Sequence, residues 1–135
     1  MYLLDTNILS ELRRPKPHGA VLAWLDGVAE TDLYLSAVTV GEIQAGIEMT
    51  RRQDSAKAGE IETWLDAVMA TRHILPMDGP AFREWARLMQ GRPDSLMEDA
   101  MIAATALVHG LTVVTRNTRD FQSFGVPLLD PFNID

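Results

Sequence analysis

Short apolar runs alternate with longer segments of helical period along the whole chain, and this alternation constrains the fold more than any other feature. Tyr2-Leu3-Leu4, Leu33 to Ala37, Ile74 to Met77, Leu111 to Thr115 and Val126 to Leu129 have the length and composition of buried strands. Between them the spacing predicts helices. The first runs from Asn7 to Arg14 and ends at Pro15 and Pro17; the second runs from Gly19 to Val28. A third is opened by Thr39 and Glu42, which have capping-box spacing. Ser55 to Thr71 places Ile61, Trp64, Leu65 and Val68 on one stripe, Asp78-Gly79-Pro80 opens a further helix, and Ser95 to His109 is closed by Gly110. Strands joined by helices run parallel, so the expected fold is α/β. It is a three-layer α/β/α sandwich with a mostly parallel sheet of about five strands. Pro76 assigns the third strand to an edge.

Composition narrows what such a sandwich can do. At 135 residues, with 47% hydrophobic and 23% charged side chains, the chain has the size and balance of one globular domain. It has no cysteine, which excludes disulfides, zinc–thiolate sites and thiol nucleophiles. No apolar run approaches the ~20 residues of a membrane span. The N-terminus carries Asp5 and no basic stretch ahead of its apolar residues, so no signal peptide is expected and the protein is read as cytoplasmic. Twelve basic against nineteen acidic residues give a net charge of −7. That excess argues against a broad phosphate-binding face unless the acids gather around a cation.

Ligands of parallel sheets sit beyond the carboxyl ends of the strands. Asp5 follows the first strand, Ser36 and then Glu42 the second, and Thr115 to Asp120 the fourth. In the Ser95–His109 helix, Asp99 shares an edge with Ala103 and Ala106 and so approaches the sheet, while Glu98 lies one position round and is the more exposed. Asp5, Glu42, Asp99 and Asp120 can therefore converge. Gathered carboxylates repel one another unless protonated or neutralised by a cation, and hard oxygen donors without histidine suit Mg2+, or Mn2+ as the alternative. Such sites activate water for phosphodiester hydrolysis. Taken singly, each acid has a plainer role: Asp5 as a helix cap, Glu42 as the partner of Thr39, Asp99 paired with an arginine, Asp120 in a turn.

In combination the motifs resemble the PIN domains of VapC-type toxins from toxin–antitoxin pairs. The resemblance lies in Leu4-Asp5-Thr6-Asn7-Ile8-Leu9, in Ser36 to Ile43, in Asp99-Ala100-Met101-Ile102-Ala103-Ala104-Thr105-Ala106, and in Thr115-Arg116-Asn117-Thr118-Arg119-Asp120-Phe121. It spans residues 4 to 121 in family order and implies that residues 1–135 form a single PIN domain. The implied activity is that of a small ribonuclease, with Asp5, Glu42, Asp99 and Asp120 as catalytic acids and Asp5 and Asp99 as direct Mg2+ ligands. The fourth position stays open between Asp120 and Asn117. Thr6, Ser36 and Thr115 are implied to support the carboxylates, and Arg116 and Arg119 to hold the RNA, with Arg13 and Arg14 also flanking the cleft. A homodimer and a cognate VapB-type antitoxin complete the implied assembly, with the helical arm at residues 39–70 as the place for such contacts.

Three other readings compete. A haloacid-dehalogenase-like phosphatase needs an aspartate where Asn7 stands, and a response-regulator receiver needs a lysine after its last strand, whereas the only lysines are Lys16 and Lys57. The third, a catalytically inactive PIN-like binding module, is opposed by the filling of all four acid positions.

Overall fold

Burial on both faces keeps the strands short and apolar. In chain order the elements are β1 (Tyr2–Leu4), α1 (Thr6–Leu12), α2 (Gly19–Asp26), β2 (Leu33–Ser36), α3 (Ala37–Arg51), α4 (Ser55–Thr71) and β3 (His73–Leu75). They continue with α5 (Gly79–Leu88), α6 (Met97–His109), β4 (Thr112–Val114), α7 (Thr118–Phe121) and β5 (Leu128–Leu129). This computed structural model describes residues 1–134; Asp135, the last residue of the expected domain, lies outside them. Among the described residues no helix is long and apolar enough to cross a membrane.

The sheet has five strands in the order β3-β2-β1-β4-β5, and every pairing is parallel. Leu3 stands opposite Tyr34 and Val113, and Leu4 opposite Leu35 and Val114. Because side chains alternate along a strand, these two rows face opposite layers. Leu3 and Val113 pack with Ala100, Ala103 and Ala106 of α6. Leu4, Leu35 and Val114 pack with Ile8 and Leu9 of α1, Val21 of α2 and Val68 of α4. The expected three-layer sandwich is therefore present, and β3 is an edge strand.

Small side chains set how close α6 comes to the sheet. Ala100, Ala103, Ala104 and Ala106 are all fully buried. The helix ends at Gly110, whose φ of +67° is the left-handed conformation that lets its N–H turn back onto the carbonyls of Ala106 and Leu107.

Two expectations are corrected. The capping box at Thr39 and Glu42 does not form. Ser36 caps α3 three residues earlier, its Oγ accepting from the Val38 N–H at 3.0 Å, so Thr39 falls inside the helix and is fully buried. The segment after β4, read as a loop, contains α7, which buries Phe121 against Phe124. The remaining differences are at element ends, such as α1 beginning at Thr6 because Asp5 caps it.

Ala103→Leu is expected to lower unfolding free energy by roughly 1–3 kcal/mol, because the added volume forces α6 away from Leu3 and Val113. Urea denaturation checks this, and an unchanged midpoint would show that the helix is not packed to contact there.

Candidate functional site

The chain leaves β1 toward β2 on one side, while β4 lies on the other, so a crevice opens at the carboxyl ends of β1 and β4. Asp5 stands in it with only 4% of its surface exposed. Its backbone N–H continues the ladder to Val114 O at 2.9 Å. Oδ1 accepts from the Thr6 N–H at 2.8 Å, capping α1, and Oδ2 accepts from Thr115 Oγ1 at 2.8 Å. Thr115 is fully buried and its hydroxyl oxygen accepts in turn from the Asn117 N–H (2.9 Å) and Asn7 Nδ2 (3.3 Å). Asn7 Oδ1 accepts from the Arg116 N–H at 3.4 Å, tying α1 to the loop after β4. Burial raises the Asp5 pKa, and the bonds from Thr115 and Thr6 offset part of that rise.

Because α3 starts at Ser36, Glu42 lies one and a half turns in and points back toward α1. Thr6 Oγ1 is 3.0 Å from both Glu42 Oε1 and Thr39 Oγ1. Glu42 has its pKa raised to about 7, first by burial and then by the carboxyl groups of Glu98 and Asp5, against the lowering effect of the Thr6 bond. Asp99 is raised to about 6, again first by burial and then by the charges of Asp5, Asp120 and Glu98. Five acids from four segments thus share one electrostatic neighbourhood.

The structure brings Asp5, Glu42, Asp99 and Asp120 together. Asp120 is exposed, but its charge reaches Asp99. Asn117 is exposed and contributes its backbone N–H to Thr115. Thr6 and Thr115 do bond carboxylates. Ser36 makes no bond to a carboxylate here; its oxygen accepts from the Val38 N–H and so caps α3. Arg116 rests with its guanidinium 4.4 Å from the centre of the Phe132 ring, and Arg119 is exposed. Arg14 is engaged by the buried Glu11 at 3.3 Å. His18 has a capping role, accepting from the Ala20 N–H at 3.2 Å.

Sequence reasoning passed over two residues. Asn7 stood inside the first motif, two places after Asp5, and only the proximity of β4 gives its amide a partner. Glu98 was set aside as solvent-facing on its own helix. What faces it is Glu42, from an α3 that packs against α6.

Among the described residues no three His, Asp or Glu side chains stand close enough to ligate one ion entirely from protein atoms. The donor set nevertheless fits a small hard cation. Mg2+ binds through one or two carboxylates and retains several waters, and burial, followed by the neighbouring carboxyl groups, raises the pKa of both Glu42 and Asp99.

The family profile of the PIN domain matches residues 2–126. The chain is 37% identical to the VapC ribonuclease Y4jK of Sinorhizobium fredii, with 98% of each chain aligned. It is also 37% identical to the toxin FitB of Neisseria gonorrhoeae over 98% of this chain and 99% of that protein. A chain of a toxin–antitoxin complex from Klebsiella pneumoniae superposes with a TM-score of 0.74 at 28% identity, covering 99% of this chain and 100% of that one.

Two measurements probe the electrostatics. A carboxyl whose folded pKa exceeds its unfolded value binds more protons in the native state, so stability falls as pH rises through that interval. With Glu42 moving from 4.5 to about 7 and Asp99 from 3.8 to about 6, the metal-free protein is expected to lose stability between pH 4 and 7 and to level off above. Glu42→Gln should flatten the upper part of that slope in melting curves recorded across pH. Thr115→Val removes the donor to Asp5 and should cost about 1–3 kcal/mol in urea denaturation. It should also move the Asp5 carboxyl titration, followed by 13C NMR, further upward.

Proposed function

The chain belongs to the PIN-domain family, and on that premise we propose that it is a divalent-metal-dependent endoribonuclease and the toxin of a toxin–antitoxin pair. One observation carries the enzymatic reading. A buried aspartate at the switch point of the sheet is surrounded by Glu42, Glu98, Asp99 and Asp120, an arrangement that is electrostatically unfavourable without a counterion. The likeness to the VapC ribonuclease Y4jK supports the substrate class. The toxin FitB and the Klebsiella toxin–antitoxin complex support the biological role.

In this reading the whole chain works as one PIN domain in the cytoplasm, and Asp5 and Asp99 are the ligands of Mg2+, with Mn2+ as the alternative ion. Bound there, the ion supplies positive charge that acidifies water and offsets charge building on the phosphate oxygens. The residues supply the rest. Thr115 and the Thr6 N–H fix both Asp5 oxygens, so that carboxylate needs no reorganisation when the substrate arrives. Glu42 can take a proton from the attacking water at the oxygen not engaged by Thr6. Asp120, at the open side, orients that water for in-line attack on phosphorus, and the ribose oxygen that is displaced takes a proton from solvent. Arg116 and Arg119, beyond the end of β4, hold neighbouring phosphates.

The proposed partner is a VapB-type antitoxin bound to a toxin homodimer. The likeness to the toxin FitB and to a chain of the Klebsiella toxin–antitoxin complex supports this assembly.

Purified protein free of antitoxin is expected to cut RNA in Mg2+ and to stop in EDTA. Asp5→Asn should lower the rate by about 10²–10⁴-fold. Mg2+ at a hundredfold excess over its dissociation constant should raise stability by about 2.7 kcal/mol in the wild type and less in the variant. A folded wild type that neither cuts RNA nor gains stability from Mg2+ or Mn2+ would mean an inactive binding module.

A further inference from the structure

A cleft of about 250 Å³ opens directly beside the acid cluster, and Thr6 and Glu42 belong to both. It runs between α1, α3 and α4. Ile43, Ile61 and the half-buried Trp64 make an apolar wall, and Ser10, Thr50 and Arg13 stand along the rest. Half of its lining residues are polar or charged, and at about 250 Å³ it is below the roughly 300–1,000 Å³ of drug-sized pockets.

Gly46 lines the cleft from α3. It lies in the interior of α3, where glycine is unfavourable relative to alanine. Nothing lies within 4 Å of where its Cβ would be, so no close packing demands glycine there. What a side chain at position 46 would occupy is the cleft itself. Arg13 gives the cleft its polarity. Among the described residues its guanidinium pairs with no carboxylate, in a protein of net charge −7, whereas its neighbour Arg14 is bound to Glu11.

We propose that this cleft is a nucleobase subsite: it seats the base of one nucleotide adjoining the scissile phosphate, with Trp64 as its aromatic wall and Arg13 on a flanking phosphate. The proposal rests on the ribonuclease reading above and deepens it. A phosphodiester held by an ion on Asp5 and Asp99 would have its neighbouring nucleotide within reach of this cleft, because Thr6 and Glu42 line it. A planar ring against tryptophan, with a guanidinium for the backbone, is how single-stranded RNA is commonly gripped. The charge of Arg13 favours a polyanion over an apolar peptide side chain.

The test is the KM for a short single-stranded RNA cut in Mg2+, read beside kcat. Gly46→Leu fills the cleft from α3. Ser10→Trp, at an exposed position, fills it from α1 and serves if the first variant fails to fold. Both substitutions should raise KM by about tenfold, as loss of one stacked base would, with kcat changed less than about threefold. A KM that stays at the wild-type value in folded variants overturns the subsite and leaves the nuclease standing. A wild type that cuts nothing removes the ribonuclease reading, and the subsite with it.

Discussion

A carboxylate buried at the end of a central strand has to be held, and the hydrogen bond from Thr115 Oγ1 to Asp5 Oδ2 does the holding. It spans 110 residues of sequence and joins the first strand to the fourth across the crevice where the strand order reverses. Asp5 also caps α1 through Oδ1, so one side chain starts a helix, closes a sheet junction and anchors the acid cluster. The Thr115 oxygen is itself held by Asn7 and the Asn117 backbone. A loss at any of these points therefore reaches the others, because each group satisfies the next around the buried Asp5 and Thr115.

The packing that makes the fold also creates the electrostatic problem. Alanines on α6 bring its first turn against the sheet, and with it Glu98 and Asp99 come toward Asp5. The early start of α3 at Ser36 turns Glu42 inward to meet them. Neither helix contains an acid that is unusual on its own; the unfavourable proximity arises only when both pack on one sheet. Stability is given up locally for a concentration of negative charge, which is what a cation-binding centre requires and an inert core avoids.

Period and punctuation made most of this legible. Apolar runs gave all five strands within a residue or two, Pro76 marked the edge, and Gly110 closed α6 as its left-handed φ requires. Asp5 and Asp99 were readable because an acid at a strand end and an acid beside alanines both break the local pattern. Glu98 was not, since helical period describes one helix and says nothing of the carboxyl group facing it from another. Thr39 and Glu42 misled for a related reason. Their spacing fits a capping box, but Ser36 offered an earlier cap, and a helix begun there buries Thr39 beside Thr6. The short α7 was missed because its single buried residue, Phe121, is too little signal to register as a period.

An acidic protein that handles RNA is a contradiction only if charge is averaged over the molecule. Several acids are already balanced locally: Glu48 and Glu62 by Arg51 and Glu84 by Arg87 at the surface, and the buried Glu11 by Arg14. The acids left without cationic partners include the group around Asp5, where an ion would reverse the field. The arginines left without carboxylate partners include Arg13, at the cleft beside that group, while Arg116 follows Thr115 with its guanidinium stacked on Phe132. The long-range repulsion from a net charge of −7 is screened beyond about 8 Å at physiological salt. Local order, and not the sum, sets what can dock.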